Sequence, residues 1–147
     1  MTELLRIRPS SLQRRTRVLK TPTISIVDDD PSVRQATSLL VKSLGLDPYG
    51  FASVEEYLGS DRLHDTSCLI TDVQMPGLSG TDLQSLLIAR GLKTPVIFIT
   101  AFLDEAARAR ALSAGAVGFL GKPFDEEKLI DCLRVALGGE LDGRFGR

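Results

Sequence analysis

Short apolar runs recur along the chain with room for one helix between each pair. They fall at residues 24–27, 68–71, 96–99 and 117–120, with a weaker run at 48–51. Between them the apolar residues take helical spacing. Val33, Ala36, Leu40 and Leu44 form one stripe, Leu83, Leu86 and Leu87 a second, and Leu129, Leu133 and Leu137 a third. Punctuation agrees with this division. Pro31 stands at a first helical position behind Asp30 as cap. Ser79 opens the third helix, with Asp82 three residues on. Asp125 opens the last, with Phe124 and Leu129 at the spacing of a hydrophobic staple. Gly45 and Gly138 fall just past helix ends. The order is βα repeated five times. Continuously apolar strands are buried on both faces, which predicts a parallel sheet covered by helices on both sides, with right-handed crossovers. Ligands of such sheets bind at the carboxyl ends of the strands.

Those ends carry the candidate chemistry. The first strand ends in Asp28, Asp29 and Asp30, the third in Asp72 and the fourth in Thr100, and the fifth runs into Lys122. Parallel strands bring these termini to one edge. Carboxylates gathered there repel one another and call for a cation, and an all-oxygen site suits Mg²⁺ or Mn²⁺. A carboxylate beside such a cation can attack phosphorus to give an acyl phosphate. Lys122 and the Thr100 hydroxyl can serve the oxygens of the transferring group. The pattern is that of phosphoryl transfer to an aspartate. Taken singly, each residue has a plain structural explanation: the aspartate run as a helix cap, Thr100 as strand, Phe119 as core, Lys122 as a surface turn. Only the combination points to chemistry.

Composition narrows the field. The chain has 147 residues, one domain's worth, 43% hydrophobic and 25% charged, and holds no apolar run long enough for a membrane span. Residues 1–22 hold six basic groups against one acidic, a net +5, and lack the apolar segment of a signal peptide. They read as a basic, disordered tail. Residues 23–147 carry 12 basic and 18 acidic groups, a net −6, which argues against nucleic-acid binding by the domain itself. Two cysteines, Cys68 and Cys132, and a single histidine, His64, exclude the usual zinc site. His64 lies in a polar loop and reads as a bystander. Phosphate-cradling glycine loops are absent. These features together predict a reducing, cytoplasmic setting.

The sequence resembles the receiver domains of response regulators, CheY-like modules of two-component signalling. Val27-Asp28-Asp29-Asp30, Thr71-Asp72-Val73-Gln74-Met75-Pro76 with Gly80, Phe98-Ile99-Thr100-Ala101 and Lys122-Pro123-Phe124 carry the likeness, which covers residues 23–137. In style the motifs are similar to the receiver half of nitrogen-fixation-type regulators. The resemblance implies a single doubly wound (βα)5 domain of the flavodoxin/CheY-like class, with strand order 2-1-3-4-5. It implies Asp72 as phosphoacceptor, Asp29 as the more direct Mg²⁺ ligand with Asp28 acting through water, and a metal-binding backbone carbonyl at Gln74. Thr100 would be the switch hydroxyl, Ala101 its small neighbour, Phe119 the aromatic switch and Lys122 the phosphoryl-binding lysine, joined to Pro123 by a cis peptide. Gln74 and Phe102 depart from the family's usual look, and both would flank the path of hydrolytic water.

The implied function is that of a switch rather than an enzyme. It would take a phosphoryl group from a sensor histidine kinase or phosphotransfer protein. The 138–147 tail is too short for a DNA-binding module, so the output would be a separate protein target or a domain this chain lacks. A phosphorylation-dependent homodimer is compatible with the resemblance. The competing reading is a haloacid-dehalogenase-type phosphohydrolase with Asp28 as nucleophile. It leaves Asp72 without a role and lacks a late acidic pair, since Asp125, Glu126 and Glu127 open a helix. A pseudo-receiver acting only as a binding surface is disfavoured by the intact acidic set.

Overall fold

In the computed structural model, residues 20–138 are described. The tails assigned to 1–22 and 138–147 lie outside them except for residues 20–22 and Gly138. Ten elements alternate: β1 (Thr23–Val27), α1 (Pro31–Ser43), β2 (Asp47–Phe51), α2 (Val54–Leu58), β3 (Cys68–Asp72), α3 (Gly80–Ala89), β4 (Val96–Thr100), α4 (Glu105–Ser113), β5 (Gly118–Gly121) and α5 (Glu126–Leu137). The five strands are parallel and ordered β2-β1-β3-β4-β5, as expected.

Each central strand, β1, β3 and β4, is buried along its whole length. Two cores result. One face packs Phe51, Tyr57, Leu69, Leu83, Phe98 and Phe119, among others, beneath α2, α3 and α4. The other packs Ile24, Ile70, Ile97, Leu129 and Leu133 beneath α1 and α5. Edge strand β2 buries only Phe51, because β1 covers just one side of it.

The expected caps are present. Asp30 accepts the Ser32 and Val33 N–H groups, Ser79 and Asp82 form a reciprocal box, and Asp125 accepts from Glu127. The α1 stripe differs from expectation. Ala36 is exposed, and the buried positions are Thr37 and Val41. Thr37 tolerates burial because its hydroxyl donates to the Val33 carbonyl at 2.8 Å. Cys68 and Cys132, distant in sequence, join the same core cluster as free thiols.

Candidate functional site

Parallel register, not proximity in sequence, assembles the site. β1 and β3 set Val27 beside Thr71, so Asp28 and Asp72 follow side by side. β3 sets Asp72 beside Ile99, with Thr100 one step on. β4 sets Thr100 beside Gly121, and the next residue, Lys122, donates its backbone N–H to the Thr100 carbonyl at 2.7 Å.

Carboxylate oxygens of Asp28, Asp29 and Asp72 lie within 4.8 Å of one another. Asp28 and Asp72 are buried and Asp29 is exposed, so the cluster is closed below and open above. Lys122 Nζ stands 3.0 Å from Asp28 Oδ2 and 3.2 Å from Asp72 Oδ2. The other Asp72 oxygen, Oδ1, accepts the Val73 N–H at 2.7 Å. Asp28 Oδ1 accepts the Asp30 N–H at 2.9 Å, and the Arg34 guanidinium donates to the Asp28 carbonyl at 2.7 Å. Of the three consecutive aspartates, two therefore enter the cluster and the third, Asp30, caps α1.

Burial pushes the Asp72 carboxyl above its ordinary range. The Lys122 hydrogen bond and charge pull it back, the Asp28 charge raises it again, and the net shift is upward. For Lys122, burial acts downward, but hydrogen bonds and charges from Asp28 and Asp72 outweigh it and the ammonium ends above its usual value. Lys122 thus stays charged at neutral pH. One ammonium against three carboxylates leaves excess negative charge on an all-oxygen donor set, which fits a hard divalent cation.

The loop between β3 and α3 is held closely. A Cβ on Gly80 would run into the Asp72 carbonyl, and the Gly80 N–H donates to the Val73 carbonyl at 2.8 Å. Gln74 lies exposed on this loop. Glu55 of α2 accepts the Leu78 N–H at 3.2 Å, beside Gly77 at φ +81°. Thr100 is buried, but its hydroxyl is tied to the backbone of Phe102, with the Phe102 N–H donating to it at 3.1 Å. Phe119 points inward against Phe98, ring centroids 5.7 Å apart. Ala101 is exposed, and Phe102 and Leu103 are 67% and 65% exposed. The Lys122–Pro123 peptide is cis. His64 is exposed, away from the cluster's elements. Sequence reasoning missed Arg34 and Glu55. Each looks like an ordinary solvated helix charge, and only the folded backbone shows which carbonyl or amide it reaches.

A doubly wound sheet with acidic residues and a lysine converging at its carboxyl edge defines a receiver-type switch. The comparisons agree. A model of the response regulator receiver domain matches residues 24–134. The chain is 42% identical over 113 residues to nodulation protein W of Bradyrhizobium diazoefficiens, covering 77% of this chain and 50% of that protein. It is 43% identical over 114 residues to response regulator protein TodT of Pseudomonas putida, covering 78% and 50%. The solved structure of response regulator StyR superposes with a TM-score of 0.75 at 38% identity, covering 85% of this chain and 63% of that one.

This chain belongs to the response regulator receiver family of two-component signalling. It spans about half the length of the two curated relatives named here. Receivers undergo their own phosphorylation and dephosphorylation rather than turning over a separate substrate. The family match and the relatives support a receiver and give no support to a hydrolase with Asp28 as nucleophile. Among the described residues no helix is long and apolar enough to cross a membrane.

Proposed function

We propose that Asp72 is the phosphoacceptor and that a sensor histidine kinase or phosphotransfer protein is the donor. The observation that carries this is the placement of Asp72. It ends the central strand, buried, with an oxygen within 4.8 Å of those of the acidic pair and 3.2 Å from Lys122 Nζ. An Asp72 oxygen attacks the phosphorus of a phosphohistidine. The new O–P bond forms as the N–P bond breaks, and the imidazole leaves with that electron pair. Lys122, already 3.2 Å from Asp72 Oδ2, neutralises an oxygen of the incoming group.

Asp28, Asp29, Asp72 and the backbone carbonyl of Gln74 would hold Mg²⁺ or Mn²⁺. The bound cation supplies charge neutralisation for the transferring group. Asp29 is the exposed member and is assigned the direct contact, with buried Asp28 acting through water. Thr100 and Phe119 are assigned the switch. The Thr100 hydroxyl leaves the Phe102 backbone for the phosphoryl group, and Phe119, already packed inward against Phe98, repacks against the space that Thr100 vacates. The output face is the groove of about 550 Å³ lined by Leu103, Arg108, Phe119, Lys122, Asp125 and Lys128. The domain of this reading spans residues 23–137 and works in the cytoplasm. The target is a separate protein or an output domain, which the greater length of the relatives favours.

Acetyl phosphate with Mg²⁺ tests the reading. Intact-mass measurement should show a gain of about one phosphate that Asp72→Asn abolishes. Undiminished labelling of that variant would sink the assignment. Beryllofluoride with Mg²⁺ should bind stoichiometrically, while a chromogenic phosphate ester should not be turned over.

A further inference from the structure

Gln84 is a buried amide that the phosphoryl site does not use. It lies on α3, is 7% exposed, and donates from Nε2 to the Ala111 carbonyl of α4 at 3.1 Å. That carbonyl is also the keystone of the end of α4. The Ala116 N–H donates to Ala111 O at 3.0 Å and the Gly115 N–H to Leu112 O at 3.0 Å, with Gly115 at φ +105°. This is a Schellman end, and Gln84 occupies the second lone pair of the same oxygen. Ala111 is also the one buried residue of α4. At the other end of the helix, Asp104 caps Ala106 locally, the Arg108–Glu105 contact is exposed, and residues 101–106 are all exposed.

We propose that Gln84 pins the C-terminal end of α4, so that this helix swings about Ala111 rather than sliding as a whole. Gln84 is then a positioning residue, acting through the Ala111 carbonyl. The inference rests on the receiver reading above and deepens it by locating the pivot. α3 is suited to be the fixed support. Gly80, one helical turn before Gln84, is pressed against the Asp72 carbonyl. One element therefore abuts the phosphoacceptor strand with one turn and holds the end of α4 with the next. Release of the Phe102 backbone by Thr100 acts on the other, unpinned end.

Hydrogen exchange of the full chain, with and without beryllofluoride and Mg²⁺, tests this. In the resting wild type, the amides of Ala114, Gly115 and Ala116 should exchange slowly and those of 106–110 quickly. Gln84→Met keeps length and bulk but removes the donor. It should speed exchange at Ala114–Ala116 by about fivefold, the weight of one net hydrogen bond. Gln84→Asn keeps the amide but cannot reach, and should do the same, so the test survives if one variant does not fold.

Beryllofluoride should change exchange in the wild type at 102–110 only, and in the variants along the whole helix. Unaltered exchange at Ala114–Ala116 in both variants would overturn the pin. So would a wild-type response that already spans the whole helix. A wild type that binds no beryllofluoride would refute the receiver reading instead, while the resting-state comparison would still decide the role of Gln84.

Discussion

α4 and α5 start alike, carry the same charge in their last turns, and are held quite differently. Each begins at an aspartate whose side chain accepts an N–H of the first turn, Asp104 and Asp125. Each has acidic charge in that turn, Glu105 in α4 and Glu126 and Glu127 in α5, and an arginine in the last, Arg110 and Arg134. Their burial diverges. α5 sinks Leu129, Leu133 and Leu137 into the aliphatic core, whereas α4 buries only Ala111. Caps and charges settle where a helix lies along the chain. The apolar face settles how firmly it is held. A fully buried leucine contributes about 1.5–3 kcal/mol and an alanine far less, so α5 is an anchor and α4 a helix that can move at small cost. Gln84 matters because it supplies one of the few fixed points α4 has.

The largest effect should come from the anchor. Leu133 is fully buried in the α1/α5 core. Leu133→Ala removes that burial and leaves a cavity, and should cost about 2–5 kcal/mol in urea unfolding with the slope unchanged. A loss below about 1 kcal/mol would mean that α5 is no better held than α4.

The second effect charges the core beneath α5. Burial raises the Cys68 thiol far above its ordinary 9.0. A folded value above the unfolded one means that this contribution is fully present below pH 9 and is lost as pH rises. The folded protein keeps a proton that the unfolded chain gives up. By pH 10.5 the loss should reach about 2 kcal/mol. Urea midpoints at pH 7.5 and 10.5 measure it, and Cys68→Ala should flatten the dependence. The same slope in that variant would assign the alkaline loss elsewhere, for instance to Tyr57, which burial also raises.

The same contrast explains what could be read from the sequence. Leu129, Leu133 and Leu137 repeat every four residues, and the stripe they predict is the buried face. The strands were legible for a related reason, since full burial leaves continuous apolar runs; β2, half covered, gave the faintest run. The α1 stripe was legible in part: Leu40 and Leu44 pack against the core, but Ala36 is exposed and polar Thr37 is buried, its hydroxyl spent on its own helix. In the site, Asp28, Asp72 and Lys122 were legible because strand ends must converge in a parallel sheet. The Gln84–Ala111 bond was not. It joins residues 27 apart through a side chain that resembles any solvated helix glutamine. The engagement of the Thr100 hydroxyl by Phe102 was equally silent, because it depends on the turn the backbone takes after β4.

The smallest effect should separate the two helices most cleanly, since it makes the same change in both. Asp104 Oδ1 accepts the Ala106 N–H at 3.0 Å, and Asp125 Oδ1 accepts the Glu127 N–H at 2.9 Å. Replacing such a cap by alanine typically costs about 1 kcal/mol. The full cost reaches global stability only where the first turn must stay formed for the rest to stay packed. In α5, Leu129 lies in the core one turn in and half-buried Phe124 packs against the same core, so fraying would expose both. Asp125→Ala should therefore lose the whole ~1 kcal/mol in the urea midpoint. In α4, only the half-buried Ala107 packs against the core before Ala111, so the turn can open at small cost. The loss from Asp104→Ala cannot exceed the cost of that fraying, and should stay below about 0.5 kcal/mol globally. It should appear instead as faster exchange of the amides at 106–108. Equal global losses for Asp104→Ala and Asp125→Ala would show that α4 is held as tightly as α5.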